Sequence, residues 1–374
     1  MRNRRLAWLA VVAFAFLMPA VPVWAQGAPP DLDKLEKQIN AAKAAEAAKA
    51  AKAAGARKPR PTKKPVAASE ESSSPAAPSA GRVFHDRLGS GGSGPEMVVI
   101  PAGRFMMGSP SYEVGRDTDE GPQHEVSVRH FAMGKYPVTK AEYAAFVSAT
   151  GYQTDAEKNT PFDGKTASAG CFAYQGGTSL GWKAGTSWRD PGFPQDDSHP
   201  VTCLSWNDAV AYAEWLRATT GKSYRLPSEA ESEYATRAGS TDRYPWGADA
   251  EQACQYANGA DASLKQQIPD WKFPTLGCSD GYAFTSPVGR FKANAFGLYD
   301  TIGNVYKWTQ DCGPDIYANA PTNGAANVSN GCELRVFSGG SWGSGTAYLR
   351  SASRVRGTPA FRSTNFGLRV AQDL

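Results

Sequence analysis

Apolar residues fall in short runs along most of this chain, and three stretches carry a helical start signal. Thr139 with Glu142, Ser205 with Asp208 and Ser228 with Glu231 each place a hydroxyl three residues before an acid, the spacing of a reciprocal N-terminal cap. The predicted helices run from Thr139 to a stop by Gly151, from Ser205 to Gly221 and from Ser228 to Gly239, the second bearing Trp206, Ala209, Val210, Ala213 and Leu216. Residues 97–105 predict a strand and turn, and Glu125 to Arg129 alternates as a half-buried strand does. The rest of 95–374 reads as loop rich in Gly, Pro, Trp and Tyr. No linker-like break interrupts it, so a single α+β domain of low regular secondary structure is expected there.

The last forty residues, Arg335 to Leu374, follow neither period. Gly339 and Gly340 allow a tight turn before Trp342, and Arg350, Arg354, Arg356 and Arg362 then recur among small polar residues. Such a segment buries too little apolar surface to offset its own ordering entropy. It is expected to lie across a preformed scaffold whose carboxylates and carbonyls meet its guanidinium groups.

Before residue 95 the pattern changes character. Arg2, Arg4 and Arg5 precede an apolar run from Leu6 to Met18, and Ala25 closes a small-residue cleavage site, so residues 1–25 read as a signal peptide. Leu32, Leu35 and Ile39 followed by alanine and lysine predict a helical spacer over 26–56, with too few apolar heptads for a coiled coil. Residues 57–94, rich in Pro, Ser, Ala and Gly, read as a disordered linker. The formal charge of +4 resides in this N-terminal part: residues 83–374 hold 26 basic and 30 acidic side chains. Nothing in that balance suggests nucleic acid. All six cysteines lie beyond residue 170, without a Cys-x-x-Cys pair or a zinc-type Cys/His cluster, which favours disulfides in an exported chain over zinc. The expected location is periplasmic or secreted, with no stable membrane span after cleavage.

Seven motifs then occur in order: 101–109 (PAGRFMMGS), 199–201 (HPV), 224–230 (YRLPSEA), 244–247 (YPWG), 296–299 (FGLY), 303–305 (GNV) and 339–342 (GGSW). Together they resemble the formylglycine-generating enzyme family, the sulfatase-modifying factors, over essentially all of 95–374. The resemblance implies a C-type-lectin-like fold, bound structural calcium and, in the oxidising members, copper held by two cysteines after the Gly-Gly-Ser-aromatic turn. The corresponding positions here are Ser344 and Leu349, neither of which offers a thiolate, the ligand class that selects Cu(I). Copper is therefore not expected, and no catalytic residue is assigned.

The resemblance also places a first calcium site on Asn258, Gly259, Asp280 and Tyr282, an all-oxygen set suited to a hard cation, with an Asx-turn pair as the plainer reading. Its second site would use Asp300, the carbonyls of Gly303 and Val305, and a glutamate where this chain has Lys307. An ammonium cannot ligate calcium but can satisfy the same oxygens, so this second site is expected to be metal-free. Ser232 and Tyr306 stand where the family has tryptophan and are expected to thin the aromatic packing. Sequential disulfides, Cys171–Cys203, Cys254–Cys278 and Cys312–Cys332, are expected because each pair closes a loop-rich stretch and similar pairs occur in bacterial relatives.

Other motifs carry less. Residues 339–343 match a serine-hydrolase nucleophile elbow formally, but no amphipathic helix follows. Glu229, Glu231 and Glu233 read as favourable first-turn charge rather than a catalytic pair. The scattered histidines read as structural. Three roles remain. The favoured one is a non-catalytic exported domain recognising an unidentified protein or envelope ligand through Trp342, Ser344, Thr346, Tyr348, Arg356 and Phe361, with Arg350 and Arg369 paired internally. The alternatives are an oxygen-dependent oxidoreductase of the same family using other ligands, and an envelope-assembly role for the spacer.

Overall fold

A computed structural model describes residues 80–89, 91–166, 168–176, 179–314, 316–328 and 332–374. The expected signal peptide and spacer, and most of the expected linker, lie outside the described residues.

The three helices start where their caps predict. In α1 (Lys140–Thr150), α2 (Trp206–Thr220) and α3 (Glu229–Arg237) the N-cap hydroxyl accepts the third backbone N–H, and the acid returns to the cap's own N–H. Gly151, Gly221 and Ala238 close them in left-handed conformation. Two shorter helices, α4 (Ala253–Tyr256) and α5 (Ala262–Gln267), carry no amphipathic pattern long enough to be read from sequence.

A five-stranded sheet joins both ends of the domain in the order β1 (Val83–Phe84), β2 (Met97–Ile100), β5 (Phe131–Gly134), β13 (Ala371–Asp373) and β8 (Tyr224–Arg225). A four-stranded sheet runs β11 (Arg354–Gly357), β10 (Arg335–Ser338), β9 (Tyr306–Cys312), β12 (Phe366–Gly367), the last pair parallel. Hairpins β3–β4 (Gly103–Met107, His124–Val128) and β6–β7 (Cys171–Gly176, Ser179–Lys183) complete it. Mixed short strands and modest helices make the fold α+β, as expected.

The ordered domain begins earlier than residue 95. Val83 and Phe84 pair with Val98 and Met97, and Asp86 accepts a hydrogen bond from the Tyr224 hydroxyl at 2.9 Å. A two-residue strand held by partners far along the chain is hidden by its Gly- and Ser-rich surroundings.

Tyr143, Phe146, Tyr212, Leu216 and Trp308 anchor the main core between α1, α2 and the second sheet. The six cysteines form the three sequential disulfides. Among the described residues no helix is long and apolar enough to cross a membrane.

Candidate functional site: an aromatic cleft at the glycine turn

β10 delivers the chain to Gly339 and Gly340, whose φ values are 87° and 65°. A Cβ on Gly339 would stand 2.5 Å from the Thr301 carbonyl oxygen, and one on Gly340 would stand 2.8 Å from Leu349 Cδ2 and the Tyr348 carbonyl oxygen. Both positions therefore require glycine. The turn is held from outside: Gly303 N–H donates to Gly339 O at 2.6 Å, Trp342 N–H to Asn304 O at 3.0 Å, and Asn365 Nδ2 to Ser341 Oγ at 2.8 Å.

Beside this turn lies a cleft of about 520 Å³ walled by Tyr174, Trp271, Tyr306, Trp342, Tyr348 and Phe361, among others. Its walls come from parts of the chain far apart in sequence: the β6–β7 hairpin, residues 271–274, β10, β11 and the segment 342–348. Tyr174 meets Trp271 at 4.9 Å between ring centroids, and Trp342 meets Phe284 edge-on at 5.2 Å. Among the described residues no Asp, Glu, Lys, Arg, His or Cys lines it.

The expected recognition residues divide. Thr346, Tyr348 and Phe361 line the cleft, and Tyr348 is 52% exposed. Trp342, expected at the surface, is buried instead: it contributes one face to the cleft while its ring packs among Phe193, Trp271 and Phe284. Ser344 is likewise buried, its hydroxyl donating to the Tyr306 hydroxyl at 3.3 Å and accepting from Ser341 N–H at 3.0 Å. Arg356 is half-buried, donates to the Gly313 carbonyl and lies outside the cleft lining. Exposure here is set by neighbours the local sequence does not name. The wall contributed by Tyr174, Leu180, Trp271 and Phe273 was missed; its only sequence signal is the aromatic richness of those loops.

Leu349 is fully buried and packs with Tyr244, Leu276 and Ile302. Ser344 and Leu349, the positions to which the resemblance assigns copper ligands, offer a hydroxyl and a hydrocarbon, and all six cysteines are in disulfides. The residues present do not fit Cu(I). Tyr306 keeps aromatic contacts with Phe337 at 5.2 Å and Phe366 at 5.5 Å, and burial pushes its phenol up to about 12. At Ser232, by contrast, a hydroxyl pair with Ser338 stands at 3.3 Å.

The loop to which the resemblance assigns a first calcium site is built from two segments. The Cys254–Cys278 disulfide ties its two strands of chain; Asp280 accepts from Gly259 N–H at 3.0 Å and from Tyr282 N–H at 2.8 Å. Burial, then repulsion from Asp261, pushes the Asp280 carboxyl up to about 7. Asn258 donates through Nδ2 to Phe284 O, while its buried Oδ1 has no hydrogen-bond partner. An orphaned amide oxygen beside a carboxylate with spare lone pairs suits a hard cation. The second loop does not: Lys307 Nζ donates to the carbonyls of Asp300 at 2.8 Å and of Thr301 and Gly303 at 3.1 Å each.

Glu229 and Glu231 lie in the first turn of α3, as expected, and with Glu233 they are buried, each 6–7% exposed. Glu229 accepts from Arg354 Nε at 2.6 Å and from the Tyr317 hydroxyl at 2.7 Å. Glu231 pairs with both terminal nitrogens of Arg225, at 2.6 and 2.8 Å. Glu233 accepts from Arg237 Nε at 2.8 Å and from Gly108 N–H at 3.0 Å, and burial pushes it up to about 7. Arg362 instead donates to the carbonyls of Gly170, Thr160 and Ser168. The arginines of the last forty residues do lie across a scaffold.

Comparison with known proteins follows this geometry. The sulfatase-modifying factor enzyme 1-like domain matches residues 87–374. The formylglycine-generating enzyme of Mus musculus is 36% identical over 74% of this chain and 75% of its own length. The inactive C-alpha-formylglycine-generating enzyme 2 of the same organism is 33% identical over 74% of this chain and 85% of its own. Among solved structures, PvdO from Pseudomonas aeruginosa is 38% identical with a TM-score of 0.64, covering 80% of this chain and all of its own.

Proposed function

We propose that this chain, which belongs to the sulfatase-modifying factor family, is a member that binds rather than oxidises. It acts in the cell envelope as an exported recognition domain. The observation that carries the reading is the cleft. Ser344 and Leu349 stand where cysteine chemistry would need two thiolates, and the cleft lined by their neighbours Gly343, Gly345 and Tyr348 is walled by aromatic rings with, among the described residues, no ionisable side chain other than tyrosine. Such a lining favours a neutral ligand with flat apolar surface, because a charged group would lose its hydration there without a counter-charge. Thr346, Ser363 and Asn365 supply the few polar groups that orient it. A relative named as inactive within the same family supports a non-catalytic role, and three disulfides support export.

Two measurements test this reading. Mass spectrometry of small molecules carried by the protein from its native envelope should find a neutral aromatic compound on the wild type and a reduced amount on Tyr348→Ala. Oxygen uptake with a cysteine-containing peptide and Cu(I) should equal that of the protein-free control. Uptake above that control would overturn the binding reading in favour of the oxidoreductase.

A further inference from the structure

Lys307 is 4% exposed, and burial and the nearby Arg369 push its amine well below the ordinary lysine value, but three carbonyl acceptors around its one nitrogen call for three N–H donors, which only the ammonium has. An unpaired buried charge is too costly to keep, so its partners decide what it does. All three of its N–H donors are used, and all on backbone carbonyls of one short loop: Asp300 at 2.8 Å, Thr301 at 3.1 Å and Gly303 at 3.1 Å. For three carbonyls of neighbouring residues to converge, the loop must wind tightly, and it does: Asp300, Gly303 and Asn304 have φ of 51°, 75° and 61°. Two of those are side-chain-bearing residues in left-handed conformation, which costs free energy that the converging contacts must offset. Carbonyls gathered this way are how a protein holds a hard cation.

The charges around the loop agree. The Asp300 carboxylate faces inward and accepts from Gly289 N–H at 2.7 Å and Asn304 Nδ2 at 3.3 Å. The other charged group nearby is Arg369, which donates to the carbonyls of Gly134 and Tyr299. With Lys307 held as an ammonium by its three carbonyls, the set of Asp300, Lys307 and Arg369 carries no net negative charge to draw a metal ion.

The same loop holds the cleft. Gly303 N–H and Asn304 O bond to Gly339 O and Trp342 N–H, either side of the glycine turn, and a Cβ on Gly339 would stand 3.1 Å from Lys307 Nζ. Asn304 N–H also donates to Asn258 O, at the first calcium loop.

The geometry points to Lys307 as a tethered cation, whose ammonium takes the place of a metal ion in the carbonyl loop of residues 300–304 and positions the glycine turn under the cleft without one. A chelator then leaves this loop intact, whereas the loop bearing Asp280 responds to it.

The test is calcium stoichiometry by equilibrium dialysis, read with the melting temperature in calcium and in chelator. Wild type and Asp300→Asn should bind the same number of calcium ions. Lys307→Glu, which turns the buried charge from net positive to net negative, should gain one equivalent and become stabilised by millimolar calcium; Lys307→Glu with Asp300→Asn should lose that gain. Loss of a calcium ion in Asp300→Asn would overturn the assignment, as would a folded Lys307→Glu that gains none. If Lys307→Glu does not fold, the comparison of wild type with Asp300→Asn decides the matter alone.

Discussion

Arg350 and Glu120, 230 residues apart in sequence, form a two-pronged ion pair in the interior, with side chains 2% and 1% exposed. Arg350 also donates to Glu113 at 2.9 Å, and Glu120 accepts from the Ser109 hydroxyl at 2.7 Å. The pair pins the segment after the glycine turn to the loop between β3 and β4. Truncation leaves Glu120 as an uncompensated buried carboxylate. Arg350→Ala should therefore cost about 3–5 kcal/mol in urea unfolding. A loss below about 1 kcal/mol, the size of an exposed pair, would mean the pair is not formed.

Trp342 and Tyr348 should separate stability from binding. Trp342 is 4% exposed within an aromatic cluster, so Trp342→Ala should cost about 3–5 kcal/mol. Tyr348→Ala, at a half-exposed position on the cleft rim, should stay within about 0.5 kcal/mol of wild type while weakening ligand retention. Thermal melts beside binding measurements check both; equal destabilisation would contradict the burial described.

Stability should fall as the solution becomes more alkaline. Burial raises Asp208 to about 6, Glu233 to about 7 and Asp311 to about 8, all above ordinary carboxyl values. A carboxyl raised in the folded state binds more protons there than in the unfolded chain. Its stabilising contribution is complete below the unfolded value and is lost as pH rises through the folded one. Unfolding free energy should thus decline between about pH 4 and 8. Glu233→Gln should flatten the part of that slope between the ordinary glutamate value of 4.5 and about 7. An unchanged slope in this variant would show that Glu233 titrates normally.

Calcium at the first loop is expected to be structural. Chelation should lower the melting temperature of the wild type, and Asp280→Ala should abolish that response, because the carboxylate that bonds Gly259 and Tyr282 also supplies the site's negative charge. A wild type indifferent to chelator would leave Asp280 as an Asx-turn residue only.

What the sequence determined by itself was local or a matter of chemical identity. Thr139, Ser205 and Ser228 announce three helices because a cap is decided within four residues. Ser344 and Leu349 are visibly not thiols, and Lys307 is visibly not a carboxylate, whatever surrounds them. Tertiary structure alone decided the rest. Trp342 and Tyr348 are six residues apart in one irregular segment, yet one is buried against Phe193 and Phe284 and the other faces solvent. Glu229, Glu231 and Glu233 read as first-turn charge, and their burial follows only from the pairing with Arg354, Arg225 and Arg237. Val83 and Phe84 are a strand only because Val98 and Met97 lie alongside. Burial and partnership are properties of long-range contact, and a segment without periodicity gives no face from which to read them.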